Sequence, residues 1–199
     1  MFDFSFLLAL STFYFVMYAT PGPNNAMILS SGIQFGFLRT LPHMAGITIG
    51  HVIQLILVCL GFGSIFTIIP ELQTVLKIFC SMYLCFLSYR LLGSLSISQK
   101  ETSRPLKFYE GAIFQLANPK AWTISTMAAA GFLDRNIDVY FSILVISSVA
   151  LIVCPISMAP WPAFGAAIKI YIKNRSVKKI IEYFLAILLL MTAILILTG

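Results

Sequence analysis

Two polar, helix-breaking runs, Thr20-Pro21-Gly22-Pro23-Asn24-Asn25 and Asn118-Pro119-Lys120, interrupt stretches that are otherwise apolar. Asparagine amides both donate and accept, so Asn24, Asn25 and Asn118 can hold an ammonium as well as a carboxylate, and Lys120 adds a positive charge for the carboxylate. Proline removes a backbone donor and glycine adds freedom, so each run should interrupt a helix. Helices restarting after Pro23 and after Pro119 present unpaired N–H groups and a positive dipole end, which also suit a carboxylate. This is the chemistry of recognising a zwitterion. With two histidines in the chain and no carboxylate pair in its apolar segments, an intramembrane enzyme has little to be built from. The plainer alternative is that these are proline kinks whose amides cap the chain locally and serve only packing.

His51 is the third candidate, with Gln54 on the same helical face three residues on. Its ordinary pKa near 6.5 lets histidine change charge near neutrality, so His51 is the candidate proton carrier. The competing reading is a neutral histidine donating one hydrogen bond between helices. Gly46 and Gly50, just before it in the same segment, form a small-residue seam for close helix approach. His43 is expected at the membrane edge.

The elements that must position these residues are membrane helices. Of the 199 residues 59% are hydrophobic and 10% charged, with a mean hydropathy of +0.95, against about 25% charged in soluble domains. Several apolar runs reach the roughly 20 residues that span a bilayer core. The net charge of +6 comes with no aromatic or basic nucleic-acid motif, so it is read as loop charge and no nucleic-acid partner is expected. Cys59, Cys80, Cys85 and Cys154 all lie in apolar runs and lack metal-site spacing, so neither disulfides, metals nor other cofactors are expected. The first span lacks a basic leader and a cleavage site and is expected to stay in the mature protein.

The patterning predicts an all-α polytopic membrane protein forming one transporter domain over 1–199, with six segments at about 4–38, 41–69, 72–94, 108–133, 139–167 and 180–198. Thirty-five helical residues would extend about 50 Å, too long for one straight crossing, so the first segment must divide at its Pro-Gly-Pro run. Arg39, then Arg90, Lys100, Arg104 and Lys107, then Lys169, Lys173, Arg175, Lys178 and Lys179 occupy alternate connections, while Arg135 stands on the other side. The positive-inside rule makes the linker at about 96–107 cytoplasmic and both termini periplasmic. Pro155, Pro160 and Pro162 predict a kinked fifth segment, with Trp161 as an interfacial anchor.

Laying the first three segments (about 1–95) over the last three (about 108–199) sets Pro23-Asn24-Asn25-Ala26 against Pro119-Lys120-Ala121. Three segments per half insert the halves with opposite topology, so the fold class expected is six transmembrane helices as a 3+3 inverted repeat with broken first and fourth helices. Broken helices at matching places in such halves point to a central site, here Pro21, Gly22, Pro23, Asn24, Asn25, Asn118, Pro119 and Lys120.

These residues resemble the LysE/RhtB superfamily of small bacterial amino-acid exporters over nearly the whole chain. Carrying the resemblance are the Thr20 to Asn25 run, the Gly46 to Gly50 spacing, Lys77 with Tyr83-Leu84, and Asn118-Pro119-Lys120-Ala121-Trp122. Cys80 and Ser88 stand where small, glycine-like residues are expected, and His51 stands where relatives are often acidic. The resemblance implies export of amino acids or close derivatives across the bacterial inner membrane, driven by protons or by membrane potential. The partners implied are a small amino-acid substrate, protons and the lipid bilayer; a homo-oligomer is compatible with it. A passive small-solute channel, or a non-transporting membrane subunit, would keep the breaks without needing a coupling residue.

Overall fold

The computed structural model describes residues 2–92, 104–134, 138–171 and 175–198. The described residues are helical, with no strand among them. In chain order the helices are α1 (Phe4–Ala19), α2 (Pro23–Phe35), α3 (Phe37–Cys59), a single turn α4 (Ile65–Ile68), α5 (Pro70–Leu91), α6 (Phe108–Ala117), α7 (Pro119–Phe132), α8 (Val139–Met158), α9 (Pro160–Tyr171) and α10 (Arg175–Thr198). Three stretches are long and apolar enough to cross a membrane: Phe37–Cys59, Val139–Ile168 and Lys179–Thr198. The bent pair α1–α2 makes a fourth if it is one span.

The Pro-Gly-Pro run acts as expected: α1 ends at Ala19, α2 begins at Pro23, and their axes differ by 61°. Asp3 starts α1 by accepting the Phe6 N–H at 2.9 Å, satisfying one of the free donors of a helix N-terminus. The second interruption is smaller. Asn118 alone is extended, at φ −84° and ψ 105°, and α7 resumes at Pro119, where a missing N–H costs nothing.

Three boundaries differ from the sequence expectation. The second segment, expected at 41–69, is helical only to Cys59 as α3, because Gly61 takes a left-handed conformation (φ 100°) and turns the chain into a short 3-10 turn and α4. Arg39, expected in a connection, lies in the first turn of α3, because Gly36 (φ 87°) alone joins α2 to α3. The last helix begins at Arg175, earlier than expected. Lys100, Arg135 and Lys173, and residues 96–103 of the expected linker, lie outside the described residues.

Packing proceeds in pairs: α3 on α6, α1 on α8, α2 on α9, α7 on α3, and α5 on α10. Close approach in the first pair runs through Gly46 and Gly50. A Cβ on Gly46 would collide with the Phe108 carbonyl, and one on Gly50 would lie 2.6 Å from the Ala112 carbonyl oxygen. Gly32 similarly faces the backbone of Pro162 in the α2–α9 contact. Cys80 and Ser88 are buried in α5, where Ser81 and Ser88 donate to the Ala193 and Ala186 carbonyls of α10, both at 3.0 Å. These side chains are small enough to let α5 and α10 touch while finding backbone acceptors.

His43 is not at an exposed edge. It is fully buried on α3 against Gly111 of α6, and neither ring nitrogen has a hydrogen-bond partner within the protein. The reason is the one-residue α2–α3 connection, which brings the start of α3 into the bundle.

Candidate functional site

The break at Thr20–Gly22 leaves the last carbonyls of α1 without helical partners, and in an apolar setting each must be satisfied from within the protein. Side chains from three other elements do this. The Asn25 amide donates to the Tyr18 and Thr20 carbonyls, both at 2.7 Å. The Trp161 indole of α9 donates to the Ala19 carbonyl at 3.2 Å. The Lys120 ammonium of α7 donates to the Thr20 carbonyl (2.8 Å), the Thr20 hydroxyl (2.8 Å) and the Pro21 carbonyl (3.2 Å). Trp161 is therefore a cap on α1 rather than the interfacial anchor its sequence position suggests, because α9 packs along α2 and carries the ring to the break.

Gly22 makes room for Lys120. A Cβ there would sit 3.0 Å from the lysine Cδ and 3.2 Å from Nζ. Among the described residues Lys120 forms no ion pair, so its charge is solvated by oxygen dipoles without being neutralised by a carboxylate.

The two breaks also meet through amides. The Asn24 amide donates to the Gln115 side-chain oxygen at 3.0 Å, and the Gln115 amide returns a bond to Asn24 Oδ1 at 3.2 Å. Gln115 is in turn anchored to the Gly111 carbonyl at 2.8 Å. Asn118 caps α7 by accepting the Lys120 N–H at 3.1 Å, whereas no side chain caps α2 at Gly22. The two half-helix N-termini are thus unequal. Only that of α2 keeps its first N–H groups, on Asn24 and Asn25, uncapped by a side chain.

Around these groups lies a small, partly open cavity. Gly22, Pro23, Asn24 and Asn25 form one wall, and Asn118 and Lys120 form another. His51 completes the polar lining from α3, buried, its ring edge-on to Tyr18 with centroids 5.2 Å apart and its Nε2 without a protein partner. Pro21 and Pro119 are not in the wall; they shape the backbone beside it. Gly46 and Gly50 lie outside the cavity, in the α3–α6 contact. Ile47, Ile124 and Met158 supply an apolar side.

The model of the family described as LysE type translocator matches residues 15–199. The chain belongs to that family. It is accordingly a transporter-family protein and not an enzyme. Two relatives are named cysteine/O-acetylserine efflux protein. That of Escherichia coli (strain K12) is 28% identical over 127 residues, covering 63% of this chain and 65% of the relative. That of Salmonella typhi is 28% identical over 115 residues, covering 57% and 58%. The match therefore spans less than two thirds of these relatives' length. No solved structure matches the chain.

In this LysE-type translocator, sequence reasoning missed Gln115, Thr20 as a ligand of Lys120, and Tyr18. Gln115 carried a readable signal, an uncharged polar residue deep in an apolar helix one turn before a break. Tyr18 carried none, since it is one aromatic among many. Asn25 has the clearest structural duty of the set. Asn25→Ala should leave the buried Tyr18 carbonyl unpaired and lower stability by about 1–3 kcal/mol, the usual cost of an orphaned buried polar group. Thermal unfolding of the purified protein in detergent checks this, with a melting temperature equal to wild type as the contrary result.

Proposed function

We propose that this protein is a secondary exporter of zwitterionic amino acids or close derivatives in the bacterial inner membrane, binding its substrate in the cavity between the two helix breaks. One observation carries the reading: an unneutralised lysine and an uncapped helix N-terminus share a small cavity with amide oxygens. The substrate carboxylate is received by the α2 N-terminus and the Lys120 charge, a combination favoured by both dipole and Coulomb attraction. The Asn24–Gln115 amide pair opens to offer oxygens to the ammonium. The apolar side formed by Ile47, Ile124 and Met158 takes a short side chain. Cysteine and O-acetylserine, named for the relatives, are the first substrates to assay.

Six crossings arranged as a 3+3 inverted repeat, with both termini periplasmic, are part of this reading. Exchanging α1–α2 with α6–α7, α3 with α8–α9, and α5 with α10 converts the α3–α6 contact into α8–α1 and the α2–α9 contact into α7–α3, which supports the arrangement. The positive-inside pattern supports the orientation. His51, lining the cavity with a free ring nitrogen, is the proposed proton carrier.

Inside-out vesicles containing the protein are expected to accumulate labelled cysteine or O-acetylserine in a saturable manner when a proton gradient is imposed. Non-saturable, gradient-independent flux would mean a passive channel, and no flux of any amino acid a non-transporting role. His51→Ala is expected to make accumulation insensitive to the imposed pH gradient; a gradient response matching wild type would remove His51 from the coupling step.

A further inference from the structure

Among the described residues six side chains are buried, polar and without a hydrogen-bond partner in the protein: Tyr18 in the cavity wall, His43 in the α3–α6 seam, and Tyr14 on α1, Gln54 on α3, Ser125 on α7 and Ser147 on α8. Of the last four, Tyr14, Gln54 and Ser125 are 0% exposed and Ser147 6%. Orphaned polar groups at this depth cost stability, so a chain that carries several has either tolerated a defect repeatedly or uses them.

The placement of the last four is ordered, whereas His43 lies on the other side of His51 along α3, against Gly111. Each of the four shares a helix face with a residue of the cavity wall: Tyr14 lies one turn from Tyr18, Gln54 three residues from His51, Ser125 one turn from Ala121, and Ser147 two turns from Cys154. All four displacements run the same way. The N-terminal end of α1 meets the C-terminal end of α7, with Phe6 and Phe13 against Phe132 at 5.8 and 5.4 Å between ring centroids. Phe2 meets Phe141 at the start of α8 at 5.8 Å, and Cys59 at the end of α3 packs on the cluster containing Leu10 and Tyr14. The four groups therefore extend from the cavity towards the end of the bundle where the N-terminus lies, by about 6 Å along α1 and about 10 Å along α8 at 1.5 Å per residue.

We infer that Tyr14, Gln54, Ser125 and Ser147 line a closed passage from the cavity to the face holding the N-terminus, through which a small zwitterion leaves, and that Phe6, Phe13 and Phe132 form its seal. The inference rests on the proposed exporter reading for the identity of what passes, though not for the existence of the passage. Hydroxyl and amide groups unpaired in the closed arrangement gain partners when water or a zwitterion enters, so they lower the cost of opening. The aromatic seal has ring and other apolar contacts to break, without side-chain hydrogen bonds. Both properties suit an element that alternates between two packings.

The test uses thiol labelling and flux together. In protein lacking its four native cysteines, Ser125→Cys and Ser147→Cys are each exposed to a water-soluble methanethiosulfonate reagent in proteoliposomes, with Ala186→Cys, buried between α5 and α10, as reference. Labelling of the two passage positions at least tenfold faster than Ala186→Cys is expected; rates equal to the reference overturn the inference. In the native-cysteine background, Gln54→Leu is expected to raise the melting temperature, because an orphaned amide is replaced by an apolar side chain, while lowering flux at least tenfold. A merely structural glutamine would instead lose stability and keep its flux in whatever protein folds, and that outcome also overturns the passage. If wild type moves no amino acid yet the passage cysteines react, the substrate reading fails and the passage stands.

Discussion

Lys120→Met is expected to reduce amino-acid accumulation by about 100-fold while leaving a folded protein of lower stability. The ammonium makes three hydrogen bonds to the Thr20 carbonyl, the Thr20 hydroxyl and the Pro21 carbonyl, so its loss strips the break of its main external cap. Hydrogen bonds to a charged group contribute about 1.5–3 kcal/mol each, so the loss of even two of the three exceeds the roughly 2.8 kcal/mol that marks a 100-fold change in an equilibrium. Asn25 still holds the Tyr18 and Thr20 carbonyls, and Trp161 still holds that of Ala19, which is why folding should survive. Lys120→Arg restores charge but not shape: the planar guanidinium is bulkier than the ammonium for which Gly22 leaves space, so partial rescue of stability without recovery of transport is expected. Flux into inside-out vesicles and thermal unfolding, measured on the same preparations, separate the two effects. Wild-type accumulation by Lys120→Met would refute the proposed site.

Gly46→Ala is expected to produce the largest loss of stability of any glycine-to-alanine change among the described residues. The added carbon would collide with the Phe108 carbonyl, and a backbone obstacle cannot rotate away as a side chain can. The α3 and α6 axes must separate, opening the seam that also holds Gly50, Gly111 and His43, and overpacking of this kind costs about 1–3 kcal/mol or more. Gly131→Ala supplies the contrast. Nothing lies within 4 Å of its added carbon, and in the last turn of α7 alanine is no worse a helix former than glycine, so this variant should match wild type. Melting temperatures and membrane yields of the two variants give the comparison; equal stability would mean that α3 and α6 do not approach through Gly46.

The paired breaks show what makes a site legible. Pro21, Gly22 and Pro23 stop a helix by removing donors and adding freedom, which is a local effect, so the end of α1 and the start of α2 follow from the residues themselves. The same holds for Asn118 and Pro119. Gly61 was readable in the same way as a helix stop, yet an unbroken apolar run concealed it.

What the sequence by itself determined, then, is where the chain is apolar, where it breaks and which polar residues fall within apolar runs, because helix periodicity, proline and glycine act on their immediate neighbours. The tertiary structure alone decided which partners those residues found. Lys120 caps a helix end 100 residues away, Asn24 pairs with Gln115 across 91, and Trp161 reaches Ala19 across 142. Such pairings depend on how helices pack, which is set by surfaces rather than by spacing along the chain. For the same reason His43, whose sequence position suggests a membrane edge, is buried against α6, and the two half-helix ends that look alike in sequence differ: Asn118 closes one while the other stays open to the cavity.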